Sequence, residues 1–411
     1  MKTEIIQASV ADKKEDAVIV NGKPLKIRMQ ICARCVQDST VPGIEFDVNG
    51  VCNFCHFHEL LCKLFPGGKK GKEILNGIFS KIREKGKGKK YDCVVGISGG
   101  RDSTYLLWNV VKKWKLRPIA VHFNDGFDNP VAGENMVNAV KKLGVELRTI
   151  TSDYREGKDL KIDFLKASTP DINLGTDIGI ASSLYSVAAK ENIKYVLIGQ
   201  SFRTEGVKPL SWSYFDGDYL RSVHKMFGSV PLRPWKPDDA GFNLGIREMF
   251  YYSVIRGMKT FTPFYHTDYI RKEGEEIIKS ELDWVYPGAH YYDDLYHSLI
   301  KYVHRVKFNI DLNMNSDSAL VRTGQMEREQ ARARAHGIYQ IEDPKVIELC
   351  IKRLGLSRQQ FDEFMKIPPK TFYDYPTSYR YIRAFKYPIK AFSHLNLLPK
   401  VAYYKYFYCG K

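Results

Sequence analysis

Four cysteines stand in two C-x-x-C steps, Cys32-Ala-Arg-Cys35 and Cys52-Asn-Phe-Cys55, with sixteen residues between them. Thiolates at this spacing can surround one zinc ion tetrahedrally. A complete four-sulfur set leaves no open coordination position, so the expected ion is structural, and its binding energy would fold a segment too short to hold itself together. A redox dithiol would account for only one of the two steps. Asn49-Gly50 is a two-residue hairpin signal that would deliver Cys52 to the second knuckle. His56 and His58 follow closely and read as surface residues, because the ligand set is already full.

A second constellation lies at Ser98-Gly-Gly-Arg-Asp-Ser103. It follows an apolar run, residues 91–97, that reads as a short buried strand ending near Gly96. It precedes a helical pattern in which Leu107, Val110, Val111 and Trp114 share one face, with Asp102 or Ser103 expected to cap the start. Strand, glycine turn and helix N-terminus together present backbone N–H groups to an anion. Gly99 and Gly100 would let phosphate oxygens approach with no β-carbon in the way. Neither G-x-x-x-x-G-K-[ST] nor G-x-G-x-x-G occurs here, which disfavours γ-phosphate transfer and dinucleotide binding. Gly96-Ile-Ser-Gly-Gly100 also fits the G-x-S-x-G elbow of serine hydrolases. That elbow normally follows several strands, whereas here a cysteine module and a basic stretch precede it.

The elements that must position this loop alternate. A strand over 117–123 ends in His122, Phe123 and Asp125, where an open α/β sheet places its ligands and where adenine would sit. An amphipathic helix over 131–143, a strand over 145–150, a helix over 178–189 and a strand over 195–199 follow, the last ending in Gly199 and Gln200. The expected fold class is therefore α/β, a doubly wound parallel sheet with an N-terminal four-cysteine zinc ribbon and a helical C-terminal region. Glu205, just past the last strand, is a candidate metal-binding or ammonia-orienting carboxylate. His290, His297, Arg305, Lys307 and Arg322 are candidate donors to phosphate groups or a carboxylate.

The expected division is an N-terminal extension (1–28), the zinc module (29–62), a basic linker or helix (63–90), the nucleotide domain (91–235), a helical substrate or partner region (236–375) and an aromatic tail (376–411). The 411 residues are 44% hydrophobic and 27% charged, a globular composition. No signal-peptide pattern opens the chain and no apolar run is long enough to span a membrane, so a cytoplasmic location with reduced thiols is expected. The formal charge of +16 favours an acidic partner. Nine Lys and Arg between Lys69 and Lys90 supply much of it. Stacking aromatics are nearly absent there, so a solvated stretch is favoured over a nucleic-acid patch.

Ser-Gly-Gly-x-Asp-Ser resembles the signature of the pyrophosphate-loop (PP-loop) ATPases. This resemblance implies ATP cleavage between the α and β phosphates. Ser98, Gly99, Gly100, Asp102 and Ser103 would hold the leaving pyrophosphate with Mg²⁺. Between Cys32 and Arg334 the chain resembles, more narrowly, the N-acetyl sugar amidotransferases of the WbpG and PseA type. The resemblance is carried by the two cysteine steps, by Phe46-Asp-Val-Asn-Gly-Val-Cys-Asn-Phe-Cys55, by Asp92-Cys-Val-Val-Gly-Ile-Ser-Gly-Gly-Arg-Asp-Ser103, by Lys307-Phe-Asn-Ile-Asp311 and by Thr323-Gly-Gln-Met-Glu-Arg328. It implies an ATP-dependent exchange of an acetamido oxygen for ammonia on a nucleotide-activated sugar, giving an acetamidino sugar for surface polysaccharide or nonulosonic acid. Implied partners are a glutaminase and an ammonia-channelling cyclase-like subunit, both resembling histidine-biosynthesis components. Gln200 stands where an acidic residue is expected, and residues 313–318 are more neutral than the family's basic stretch. The alternative is a tRNA-modifying PP-loop ATPase of the thiolase type. Beyond the zinc module only the isolated Cys62, Cys93, Cys350 and Cys409 remain to serve sulfur transfer, and Cys93 reads as core packing.

Overall fold

The computed structural model describes residues 17–20, 23–26, 29–286, 294–336, 343–394, 403, 406 and 407. An antiparallel pair, β1 (Ala17–Val20) and β2 (Lys23–Lys26), precedes the cysteine module. Beyond it five strands form one parallel sheet: β3 (Cys93–Gly96), β4 (Pro118–Asn124), β5 (Glu146–Thr151), β6 (Tyr195–Leu197) and β7 (Lys259–Phe261), in the order β5-β4-β3-β6-β7. The chain starts at the centre, winds out to β5, then returns across β3 to build the other side. This is the doubly wound α/β fold, with its switch point between β3 and β6. The fifth strand lies past residue 235, so the sheet runs beyond the expected nucleotide domain. Lys259-Thr-Phe261 lacks the continuous apolar run that marks β6, so nothing announces it as a strand.

Alternation along β3 divides the core. Val94 faces one cluster, while Cys93, Val95 and Ile97 face the other. Cys93 is fully buried in this second cluster and serves packing, as read from its strand position. In chain order the α-helices of the described residues are α1 (Asn53–Leu64), α2 (Gly68–Gly86), α3 (Arg101–Trp108), α4 (Pro130–Leu143), α5 (Tyr154–Ala167), α6 (Leu174–Lys190), α7 (Phe202–Glu205), α8 (Gly217–Phe227), α9 (Ile246–Phe250), α10 (Arg271–Leu282), α11 (Tyr296–Phe308), α12 (Leu312–Arg322), α13 (Arg328–Ala335), α14 (Pro344–Arg353), α15 (Arg358–Lys366), α16 (Tyr379–Ala384) and α17 (Lys386–His394). Helices α2, α3, α4 and α10 cover one face of the sheet. Helices α5, α6 and α8 cover the other, backed by α11 and α14.

The basic stretch after the cysteines is a 19-residue helix, α2, rather than a solvated linker. Leu75, Phe79 and Ile82 fall at i, i+4 and i+7 and are buried, with Phe79 stacked on Trp114 at 4.5 Å between ring centroids. The dense lysines hide this stripe from a composition-based reading, but they occupy only its outer face. The described part of the aromatic tail is divided: Tyr379 and Tyr403 are buried and Tyr406 lies edge-on to Tyr214, whereas Tyr381, Phe385 and Tyr387 are exposed. Among the described residues no helix is long and apolar enough to cross a membrane.

Candidate functional site

The turn between β3 and α3 is held open from behind. Gly99 has φ +76, in the left-handed region, and a β-carbon there would lie 2.0 Å from the Ala132 carbonyl oxygen. The Gly99 carbonyl accepts from Trp284 Nε1 at 2.9 Å and from Asn135 Nδ2 at 3.3 Å. Because that peptide is trans and planar, the Gly100 N–H points the opposite way. Asn135 also exchanges two 2.8 Å hydrogen bonds with the Val285 backbone, which ties α4 to the segment after α10.

Gly100, with φ −71 and ψ 162, is the N-cap of α3 and carries no side chain to cap it. The expected caps, Asp102 and Ser103, lie inside the first turn instead. Ser103 Oγ bends back to donate to the Gly100 carbonyl at 3.2 Å. It accepts from Ser98 N at 3.1 Å and lies 3.0 Å from Ser98 Oγ, so both serines share one small polar cluster. Asp102 Oδ1 accepts from the Tyr269 hydroxyl and from Arg101 Nε at 3.3 Å, and Arg101 reaches on to Glu275 at 3.3 Å. Tyr269 packs face to face with Phe264 at 4.6 Å. Tyr269, Arg101, Glu275, Trp284 and Asn135 were not visible as site residues, because their only signal is spatial.

Gly199 presses against the loop, since a β-carbon there would sit 2.9 Å from the Asp102 carbonyl oxygen. Gln200 is exposed beside it. Glu205 ends α7 and accepts at Oε1 from Ser201 N at 3.0 Å. Its side chain is open to water, yet protein crowds it on several sides. This desolvation, reinforced by the Asp102 carboxylate, raises its carboxyl to about 7, with Lys208 and Arg271 acting in the opposite sense. The structure therefore brings together residues 98–103, Gly199 and Glu205 at the carboxyl ends of β3 and β6, the switch point of the sheet.

His122, Phe123 and Asp125 lie at the end of β4, but their groups are engaged within the fold. His122 Nδ1 is 3.2 Å from the Ile97 carbonyl, directly beneath the loop, and Nε2 is 2.9 Å from Asp128. Phe123 meets Gly179 and Phe242. Asp125 Oδ2 accepts from Lys161 at 2.7 Å and from Thr176 at 2.6 Å. Burial alone would raise this carboxyl, but Lys161 and Thr176 hold it below the usual range.

Four expected substrate contacts are not assembled with the loop. Arg305 pairs with Asp311 at 3.6 Å, and His297 Nδ1 lies 4.0 Å from Asp294. Lys307 donates to the Phe364 carbonyl, and burial pushes its ammonium down to about 8. Arg322 is the clearest correction. Its Nε lies 3.3 Å from Cys55 Sγ and its Nη2 lies 3.2 Å from Cys35 Sγ, so the guanidinium serves the cysteine cluster rather than a sugar phosphate. A half-buried cation beside the cysteine sulfurs offsets the charge they carry as thiolates. His290 lies outside the described residues.

The cluster itself fits a four-coordinate ion. The Sγ separations Cys32–Cys55, Cys35–Cys52 and Cys52–Cys55 are 3.9, 3.8 and 3.7 Å. A tetrahedron of Zn–S bonds of about 2.3 Å has edges of about 3.8 Å. All four cysteines are fully buried. The Cys32 sulfur accepts from three backbone amides, Arg34, Cys35 and Cys52, at 3.4, 3.5 and 3.2 Å, as a thiolate ligand would. Asn49 and Gly50 form the expected turn, and Cys52 then starts α1. His56 is exposed on Asp47, but His58 is buried edge-on to Phe202 at 5.5 Å, a correction to its reading as a surface residue. The module docks on the C-terminal helices. Arg328 donates to the Cys35 and Cys32 carbonyls at 3.2 and 2.8 Å, and Met314, Ala331 and Ala335 pack against the cysteines.

Comparison with known proteins gives three kinds of match. Residues 260–387 match the family model of the LPS biosynthesis protein WbpG-like C-terminal domain, which bears out the resemblance over that segment. An uncharacterised protein of Methanocaldococcus jannaschii is 25% identical over 220 residues, covering 51% of this chain and 75% of that one. Among solved structures, the NH3-dependent NAD synthetase of Campylobacter jejuni overlaps 66% of this chain and 98% of its own, at 16% identity and TM-score 0.32. The U34-tRNA thiolase NcsA of Methanococcus maripaludis, solved with its [4Fe-4S] cluster, overlaps 80% and 99%, at 14% identity and TM-score 0.31. The fold assignment rests on the strand order and the geometry of the loop, not on these overlaps.

Proposed function

We propose that this chain is an ATP-dependent amidotransferase that adenylates an acetamido oxygen of a nucleotide-activated sugar and replaces that oxygen with ammonia. The observation that carries this reading is the placement together, at the carboxyl ends of β3 and β6, of a glycine turn open to phosphate and the Glu205 carboxylate, which desolvation raises to about 7. The WbpG-like segment at 260–387 supports a surface-polysaccharide sugar as substrate.

The residues suit each step. The Gly100 N–H and the Ser98 and Ser103 hydroxyls would bind the β and γ phosphates as pyrophosphate leaves the α-phosphorus. Asp102 has Oδ2 outside its bonds to Tyr269 and Arg101 and offers the hard oxygen that Mg²⁺ takes, and that ion when bound neutralises phosphate charge. The amide oxygen attacks the α-phosphorus, forming a C–O–P link. Ammonia then adds to the same carbon and gives up one proton, and the C–O bond breaks to release AMP and leave the amidine. Glu205, near neutrality in its affinity for protons, is the acceptor for that proton.

Sulfur transfer fits the chain less well. Among the described residues, Cys93 and Cys350 are buried in the core and Cys62 rests on His58, so none joins the loop. The ammonia source is read as a separate glutaminase with a cyclase-like channelling subunit. The test is to incubate the purified chain with ATP, Mg²⁺, ammonium and a diacetamido sugar nucleotide, with and without tRNA, and to analyse products by mass spectrometry. AMP, pyrophosphate and a sugar with one oxygen replaced by NH are expected. ADP as product, or a strict need for tRNA, overturns the reading.

A further inference from the structure

One buried side chain joins the cysteine module to the Glu205 turn. Asn315, on α12 and 1% exposed, donates from Nδ2 to the Glu205 carbonyl at 2.7 Å and accepts at Oδ1 from Gln37 Nε2 at 3.2 Å. Gln37 is fully buried, and its Oε1 accepts from Arg322 Nη2 at 2.7 Å, the same nitrogen that lies on Cys35 Sγ. Each amide can point only one way. Turning Asn315 over would set its NH2 against that of Gln37 and its oxygen against the Glu205 carbonyl, and turning Gln37 over would set its NH2 against Arg322. The series from thiolates to Arg322, Gln37, Asn315 and the Glu205 backbone therefore has a single hydrogen-bonded arrangement.

The Glu205 end needs such support. Helix α7 is only four residues long, a single turn that cannot fix its own position. It stops at Gly206, φ +74, where a β-carbon would come 2.9 Å from Asn315 Nδ2, so the chain there is moulded to that amide. The hydrogen bond from Ser201 N orients the carboxylate within the turn; buried Phe202 and Arg203, the latter donating to the Tyr265 and Phe65 carbonyls at 2.6 and 2.8 Å, anchor the start of the turn, and the Asn315 amide holds the Glu205 carbonyl at its end.

We propose that Asn315 is a positioning residue: together with Gln37 and Arg322 it transmits the fixed geometry of the cysteine cluster to the backbone of Glu205 and so holds that carboxylate at the switch point of the sheet. This rests on the reading of Glu205 as the proton acceptor. The cysteine module then acts on the reaction without touching substrate, and substitutions in it will register as catalytic defects.

Asn315→Ala, Gln37→Met and Glu205→Gln in the full chain test this, with metal content, amide hydrogen exchange and steady-state kinetics as readouts. Asn315→Ala is expected to keep one metal ion per chain and to speed exchange across residues 202–206 about tenfold, leaving residues 98–103 unchanged. Its kcat should fall about tenfold while KM for ATP stays within about twofold. Gln37→Met spares the Glu205 hydrogen bond and should give the same pattern at about threefold. It decides alone if the alanine variant does not fold. Wild-type exchange over 202–206 together with wild-type kcat in the folded variants overturns the proposal. If Glu205→Gln keeps full activity, the acceptor reading falls. Faster exchange over 202–206 in Asn315→Ala would still uphold the structural link.

Discussion

The glycine loop after β3 and the turn bearing Glu205 lie at the same switch point of the sheet but are built in different ways. Six consecutive residues contain the loop's glycines, serines and aspartate; the strand before and helix after them set its shape, and Trp284 and Asn135 brace it at the Gly99 carbonyl. The Glu205 turn is a single short helix whose start is anchored by Phe202 and Arg203 and whose Glu205 end is held by Asn315, 110 residues further on. That residue in turn leans on Gln37, 278 residues earlier. A local motif takes its shape from adjacent backbone and is braced from outside, whereas the lone carboxylate is placed by contacts recruited from both ends of the chain.

The sharpest way to break this contrast is at the metal ligands. Cys55→Ser should reduce bound zinc from one per chain to near zero by elemental analysis. Structural zinc sites are worth about 10–16 kcal/mol, so the module and its docking on α12 and α13 should be lost as well, seen as a broadened thermal melt. Nucleotide binding at the loop should survive better than catalysis, because the loop's supports come from α4 and the segment after α10. Next in size is Gly99→Ala, which places a methyl group against the Ala132 carbonyl at a left-handed backbone position. A cost of about 2–3 kcal/mol is expected, weakening ATP binding about a hundredfold by calorimetry while zinc content is unchanged.

Glu205→Gln should lower kcat about a hundredfold with little change in KM for ATP. The pH dependence follows from the direction of its shift. The carboxyl is raised to about 7, so it is protonated and unable to accept a proton below that value. With free ammonia held constant, the rate of the wild-type chain should therefore rise with pH through about 7, and this limb should vanish in the glutamine variant. The smallest effect expected is from Tyr269→Phe, which removes one hydroxyl donor from Asp102 and should cost about 1 kcal/mol, roughly a fivefold loss of kcat.

What could be read from the sequence divides along the same line. The cysteine steps and the loop are short, contiguous patterns whose chemistry requires those residue types, and both stand where they were expected. The central strands and the helix over 178–189 were likewise legible from apolar periodicity. Helix α2 was obscured because its six basic residues outweigh its three large buried ones in any average, and β7 because Lys259-Thr-Phe261 carries no continuous apolar run. Arg322 illustrates the deeper limit. As a cation in a helix it reads equally well as a phosphate donor, and only the fold shows that its neighbours are two sulfurs from 267 and 287 residues away. Asn315 was visible only as part of a neutral stretch, since an amide that satisfies two distant partners leaves no local trace.

The hydrogen bond from the Trp284 indole to the Gly99 carbonyl gives the molecule a built-in optical reporter. Any movement of the loop as phosphate enters must strengthen or loosen that bond, and the indole excited state is sensitive to such a change. Occupancy of the loop should therefore be readable from ultraviolet emission without an attached dye, and a Trp284→Phe chain supplies the blank for the other four tryptophans.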